Sequence, residues 1–169
     1  MEISLGLLLV RLIGLGFATH GAQKLFGWFG GYGLAGTGGF FETVGFRPGT
    51  LFAGAAGVSE LAGGLLIALG LGGPIGPMFV IAPMVVAIFA VHWSNGFSAA
   101  KNGYELALVY LAYAAVFAFV GYGAYSLDAL FGWTAFWTPQ LAWAAIGLGI
   151  LAGLINVAAR RKPATEPAA

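Results

Sequence analysis

The feature that most constrains this chain is its first apolar run, Leu5 to Gly27, which reads LGLLLVRLIGLGFATHGAQKLFG. The run is long enough to cross a bilayer as a helix. It carries Arg11 in its middle and ends on a polar cluster, His20, Gln23 and Lys24. No acidic residue lies inside the run, so a partner for Arg11 has to come from another helix. The candidate is Glu60, the only carboxylate in the interior of any of the later apolar spans, Glu105 standing at the start of the fourth. An Arg11–Glu60 pair inside the membrane is therefore expected to fix the first two spans against each other.

The remaining sequence extends the same pattern. Charged residues make up 8% of the chain and apolar residues 60%, where a soluble domain carries about a quarter charged residues. With a mean hydropathy of +0.91, this is the composition of an integral membrane protein. Helices of roughly 20 residues leave room for four or five spans and no separate soluble domain. Residues 1–159 are expected to form one all-α, polytopic transmembrane helical bundle. Its four core spans are placed at about 5–24, 51–71, 75–92 and 104–122, with a fifth, C-terminal span at about 141–159. Residues 160–169 are polar and proline-containing, and are expected to be a disordered cytoplasmic tail.

Local signals refine that outline. Met1-Glu2-Ile3-Ser4 has no basic residue and Arg11 interrupts the apolar run, so the first run reads as a retained span and not as a secretory signal. Residues 27–48 are too rich in glycine and turn residues to span. They suit the interface, with Trp28, Tyr32, Phe40, Phe41 and Phe46 as anchors. Ala53, Gly57 and Gly64 share the Glu60 face, where small side chains allow close helix contact. Gly72-Gly73-Pro74 predicts a tight hairpin, and Pro83 predicts a bend in the third span.

Charge gives a direction. With five spans, Lys24, Arg47, Lys101, Arg160, Arg161 and Lys162 fall on one side, and the other side receives only Glu2 and Asp128. The positive-inside rule makes the basic side cytoplasmic in the cell membrane, with the amino terminus outside and the carboxyl terminus inside. The absence of cysteine excludes dithiol exchange and thiolate ligation by the chain itself. A net charge of +1 with scattered basic residues leaves no nucleic-acid footprint.

The same topology gathers His20, Gln23, Lys24, His92 and Glu105 near the cytoplasmic face, together with Asn95 and Asn102. These residues form a candidate ligand-binding mouth, with Arg11 and Glu60 roughly 13 Å deeper. Ionisable residues inside a membrane are functional candidates, although a paired Arg and Glu serve equally well as a clamp. The two histidines can cap helix ends, or in principle ligate a haem. His20, His92 and Glu105 lack the spacing of a metal motif, so no metal is assigned. The tyrosines Tyr104, Tyr110 and Tyr113 read as packing residues.

The segments RLIGLGFATHGAQKLFG, AAGVSELAGGLLIALGLGGPIGP, AIFAVHWSNGF, NGYELAL and GYGAYSLDAL, in this order over residues 5–131, resemble the DoxX family of small membrane proteins. The resemblance rests on Arg11, His20-Gly21, Gln23-Lys24, Glu60 with Gly63-Gly64, His92, Asn102-Gly103, Glu105 and Tyr125-Ser126-Leu127-Asp128. It implies a helical bundle linked to redox processes, with relatives that serve as subunits of quinol oxidase or thiosulfate:quinone oxidoreductase systems. The fifth span exceeds the four helices usual in that family. The expected function is a quinone-linked or redox-associated membrane subunit, possessing no certain cofactor of its own and served by a redox partner protein. A non-enzymatic scaffold or small-molecule transporter is the alternative, and no internal repeat of a transporter kind is visible.

Overall fold

The computed structural model describes residues 2–161, so the expected tail from residue 162 onward lies outside the described residues. The fold is an all-α bundle without strands among those residues. Its helices are α1 (Glu2–Arg11), α2 (Gly14–Phe26), α3 (Gly33–Thr43), α4 (Gly49–Leu69), α5 (Ile75–Val86), α6 (Glu105–Val120), α7 (Leu127–Leu130) and α8 (Pro139–Ala158). Four helical runs are long and apolar enough to cross a membrane: Glu2–Phe26, Gly49–Leu69, Ile75–Asn95 and Pro139–Ala158. Glu105–Val120 is apolar but shorter. The surface carries a belt of exposed large apolar side chains, Leu9, Val58, Val116 and Leu148 among them, as expected where lipid is the solvent.

Two neighbouring helices approach closely because glycines face each other. A Cβ on Gly64 would collide with the carbonyl oxygen of Gly14 and the amide of Ala18, and a Cβ on Gly21 with backbone atoms of Gly57 and Leu61. In an apolar solvent, water expulsion drives little helix association, so this backbone-to-backbone contact supplies the packing energy between α2 and α4. Its register is antiparallel, with Gly14 against Gly64 and Ala68 at one end and Gly21 against Gly57 and Leu61 nearer the other.

Hydroxyls from neighbouring helices reach backbone carbonyls at three irregular places in the bundle. Between α1 and α2 the chain tightens into three-residue hydrogen bonds, Leu12 to Leu9 and Leu15 to Leu12 among them. The Tyr113 hydroxyl lies 3.3 Å from the Arg11 carbonyl and 3.2 Å from that of Val10. In α5, Pro83 lacks the amide that would serve the Phe79 carbonyl four residues back. Pro77 stands in the first turn, where an amide has no partner inside the helix. The Tyr122 hydroxyl donates to the Gly73 carbonyl at 2.7 Å and the Ser59 hydroxyl to that of Phe79 at 2.7 Å. Beyond Pro83 the helix widens into a π-helical turn, Ala87–His92, an irregularity common at functional sites.

The Ser59 bond yields a coupled prediction. Ser59→Ala strands the Phe79 carbonyl and should cost about 1–2 kcal/mol of stability in detergent. In a Pro83→Ala background, the new backbone amide can serve that carbonyl, so the same Ser59→Ala change should cost much less. Thermal unfolding of the four proteins measures the difference, and equal Ser59→Ala costs in both backgrounds would refute the assignment.

The end of the bundle that holds the α4–α5 turn is closed by the segment after α6. Asp128 is buried, and its carboxylate accepts the amides of Gly72 at 2.9 Å and Gly73 at 2.8 Å. Its own amide donates to the Gly70 carbonyl at 2.9 Å. Ser126 caps α7 by accepting the Ala129 amide. The Tyr-Ser-Leu-Asp stretch is thus a lock on the glycine hairpin. At the opposite end, Arg160 and Arg161, assigned by sequence to the tail, are bonded to the loop before α4. Arg160 Nε donates to the Val44 carbonyl at 2.9 Å, and the Arg161 amide to that of Gly45 at 2.8 Å.

Candidate functional site

The α2–α4 register decides the partners of the two intramembrane charges. Arg11 lies level with Gly70, where an added Cβ would touch its Nη1. Glu60 sits ten residues back from Gly70 along α4, roughly 15 Å at helical rise, on the side of Gly21 and Lys24. The expected Arg11–Glu60 pair is therefore not formed. Glu60 pairs with Lys24, the only ion pair among the described residues, with side-chain exposures of 6% and 25% respectively. The long lysine stem reaches back from the helix end to the buried carboxylate. Sequence spacing placed the two charges at a similar depth, and the packed glycines set a different register.

Arg11 is buried and is held by carbonyls in place of a carboxylate. Nη1 donates to Tyr122 at 3.4 Å and Nη2 donates to Tyr125, while Nε has no partner. It belongs to the Asp128 end of the bundle and fastens the first span to the segment after α6. Its surroundings make it a clamp, and it lines neither of the hollows described below.

The larger hollow is a cavity of about 750 Å³ bounded by α4, α5 and α8 and roofed by α3 and the loop to α4. Its walls are mostly apolar and aromatic, with Phe41, Phe46 and Phe79 among them, and its polar groups include Lys24, Glu60, His92, Asn102 and Asn156. Ala55 on α4 and Leu148 and Ala152 on α8 are lining residues that are also exposed. They mark an opening toward the bilayer between the two helices. The π turn at the end of α5 brings His92 to the wall. His92 Nδ1 lies 2.8 Å from the Asn102 carbonyl. A carbonyl only accepts, so Nδ1 is the donor and the neutral ring keeps Nε2 as an acceptor.

A second hollow, about 560 Å³, adjoins the first. It is lined by His20, Gln23, Lys24, Tyr32 and Thr37, together with Phe40 and the glycines of the α2–α3 loop. His20 Nδ1 is 2.9 Å from Gln23 Oε1, and Gln23 Nε2 donates to the Phe29 carbonyl at 3.1 Å. Phe29 has a φ of 52°, an unfavourable conformation for a side chain of its size. Gln23 thereby holds a strained turn in place.

The mouth expected from sequence is thus divided. His20 and Gln23 face the smaller hollow, His92 faces the larger, and Lys24 lines both. Glu105 lines neither; its Oε2 accepts the Ala99 amide at 2.8 Å and fastens the connection before α6. Sequence reasoning missed Asn156, whose Nδ2 donates to the Ala152 carbonyl at 2.8 Å. As the one side chain of its type in the last apolar run, it was a readable signal. Phe46, expected from sequence as an interfacial anchor, is instead almost fully buried and lines the larger cavity.

Among the described residues, no group of three or more His, Asp or Glu side chains forms a metal site. Neither a curated protein nor a solved structure matches the chain. The DoxX family model matches residues 6–93, which include Arg11, His20, Gln23, Lys24, Glu60 and His92 and leave Glu105 and the Asp128 lock outside. Since that match covers more than half of the 169 residues, this integral membrane protein belongs to the DoxX family.

Proposed function

We propose that the larger cavity takes up a quinone from the bilayer and that the protein serves as a quinone-linked membrane subunit for a separate redox partner. The observation that carries this reading is the cavity itself: apolar, opening toward lipid between α4 and α8, with its polar groups beside Lys24–Glu60. A quinone needs an aromatic slot for its ring, an apolar exit for its tail and donors for its carbonyls. Phe41, Phe46 and Phe79 suit the ring. Lys24 can donate to a carbonyl, and Nε2 of His92 can accept from a quinol hydroxyl.

The test is extraction of quinone from protein purified in mild detergent, with mass analysis of the extract. Near-stoichiometric quinone is expected. A His92→Leu variant should retain about tenfold less, the loss of one or two hydrogen bonds, while its melting temperature stays close to the parent's. Protein that carries no quinone and fails to bind added quinone would leave the scaffold reading in its place.

The same proposal puts the protein in the cell membrane with five spans, the amino terminus outside and the carboxyl terminus cytoplasmic. A cysteine at Lys101 should then react with an impermeant thiol reagent in inverted vesicles and not in intact cells.

A further inference from the structure

The two hollows meet at two residues, Lys24 and Phe40, which line both. On one side, the small hollow is bordered by exposed groups, His20, Gly30, Tyr32 and Gly36. On the other lies the lipid-open cavity with Glu60, 6% exposed at its side chain. Lys24 is the only charged side chain lining the small hollow, and its ammonium crosses to the Glu60 carboxylate.

We infer that Lys24 and Phe40 are a partition between a water-open vestibule and a membrane-open cavity, and that the Lys24–Glu60 pair is the relay by which protons cross it from the aqueous face. The chemistry needs nothing further. The ammonium passes one proton to the carboxylate, and the neutral amine regains one from vestibule water, the hydroxide left behind being neutralised by the bulk aqueous buffer. The carboxylic acid so formed can donate to a group inside the cavity. The lipid opening contains no water to supply protons. The competing approach is the cavity's other polar edge, His92 and the exposed Asn102, and a water route there would let an anionic reagent reach the cavity without passing Lys24 and Phe40. The inference deepens the quinone reading, because a quinone gains and loses protons with its electrons, and to that extent it rests on it. The partition itself does not depend on what fills the cavity.

The chain has no cysteine, so single thiols report accessibility cleanly. Ala56 lines the cavity on α4 and His20 lines the vestibule. In lipid nanodiscs, an anionic sulfonatoethyl thiosulfonate should label A56C at least about tenfold more slowly than H20C, and the uncharged methyl reagent, which enters through lipid, should label A56C readily. Lys24→Ala with Glu60→Gln removes the partition without stranding a charge. It should raise the sulfonate rate at A56C by about tenfold and leave the methyl rate within about threefold. Phe40→Ala, which keeps the ion pair, should also raise the sulfonate rate, and it serves as the test if the double variant does not fold. Equal sulfonate rates at A56C and H20C in the parent would overturn the inference, as would no rise in the opened variants. Quinone retention is measured separately. Quinone without a partition sinks only this inference, and a partition without quinone sinks only the proposed ligand.

Discussion

Gly64→Leu is expected to abolish recovery of folded, monodisperse protein from membranes, whereas Gly16→Leu should leave it unchanged. Both are helical glycines in the α2–α4 pair, and leucine suits a lipid-facing helix better than glycine does. The difference is what each side chain meets. At Gly16 an added Cβ has no neighbour within 4 Å, and at Gly64 it lands on the backbone of Gly14 and Ala18 and lies 2.9 Å from the Phe17 Cβ. Backbone atoms cannot swing aside as a side chain can, so α2 and α4 must separate. Overpacking a core costs about 1–3 kcal/mol where side chains can adjust, and a whole leucine against two backbones should exceed that range. Size-exclusion elution and thermal unfolding in detergent measure both variants. A Gly64→Leu protein that elutes and melts like the parent would mean that the glycine contact does not hold the bundle.

That contact also explains what could and could not be read from the sequence. Spans announce themselves because length and apolarity are properties of one segment, and Leu5–Gly27 needed no partner to be recognised. The hairpin at Gly72-Gly73-Pro74 is equally local, and so is the interruption at Pro83. Which charge meets which depends on the axial register of α2 on α4, and one residue of slip moves a partner by about 1.5 Å. Counting from the helix ends put Glu60 beside Arg11. The glycines at 14, 21, 57 and 64 put it beside Lys24.

The repairs of broken helices were legible only in half. Pro83 tells a reader that one carbonyl is left open, but nothing along the chain says that Ser59 closes it, or that Tyr122 bonds the Gly73 carbonyl at the start of α5. Asp128 was legible as an extramembrane acid and not as a lock, because its ligands are backbone amides of glycines more than fifty residues away. The candidate site divides in the same manner. His20, Gln23, Lys24 and His92 were named from sequence as one mouth, and the wall of Lys24 and Phe40 that separates two hollows exists only once α3 folds over α4.

The second large effect concerns the charges themselves. Lys24→Met leaves the Glu60 carboxylate buried without its cation, and Glu60→Gln leaves the ammonium without its anion, though at 25% exposure Lys24 can turn toward water. Breaking a buried pair from one side costs about 3–5 kcal/mol, most of it the stranded charge. Lys24→Met should therefore be the more damaging single change, and its loss should approach that range. Adding Glu60→Gln to Lys24→Met removes the stranded charge, so the double variant should be more stable than Lys24→Met alone, with a coupling of about 2 kcal/mol or more. Arg11 supplies the control. Its guanidinium is bonded to the carbonyls of Tyr122 and Tyr125 at the other end of the bundle, so Arg11→Leu and Glu60→Gln should add within about 0.5 kcal/mol. Thermal unfolding of the single and double variants in one detergent gives both couplings. Coupling between Arg11 and Glu60, with none between Lys24 and Glu60, would restore the partnership that spacing alone suggests and would remove the partition from the cavity wall.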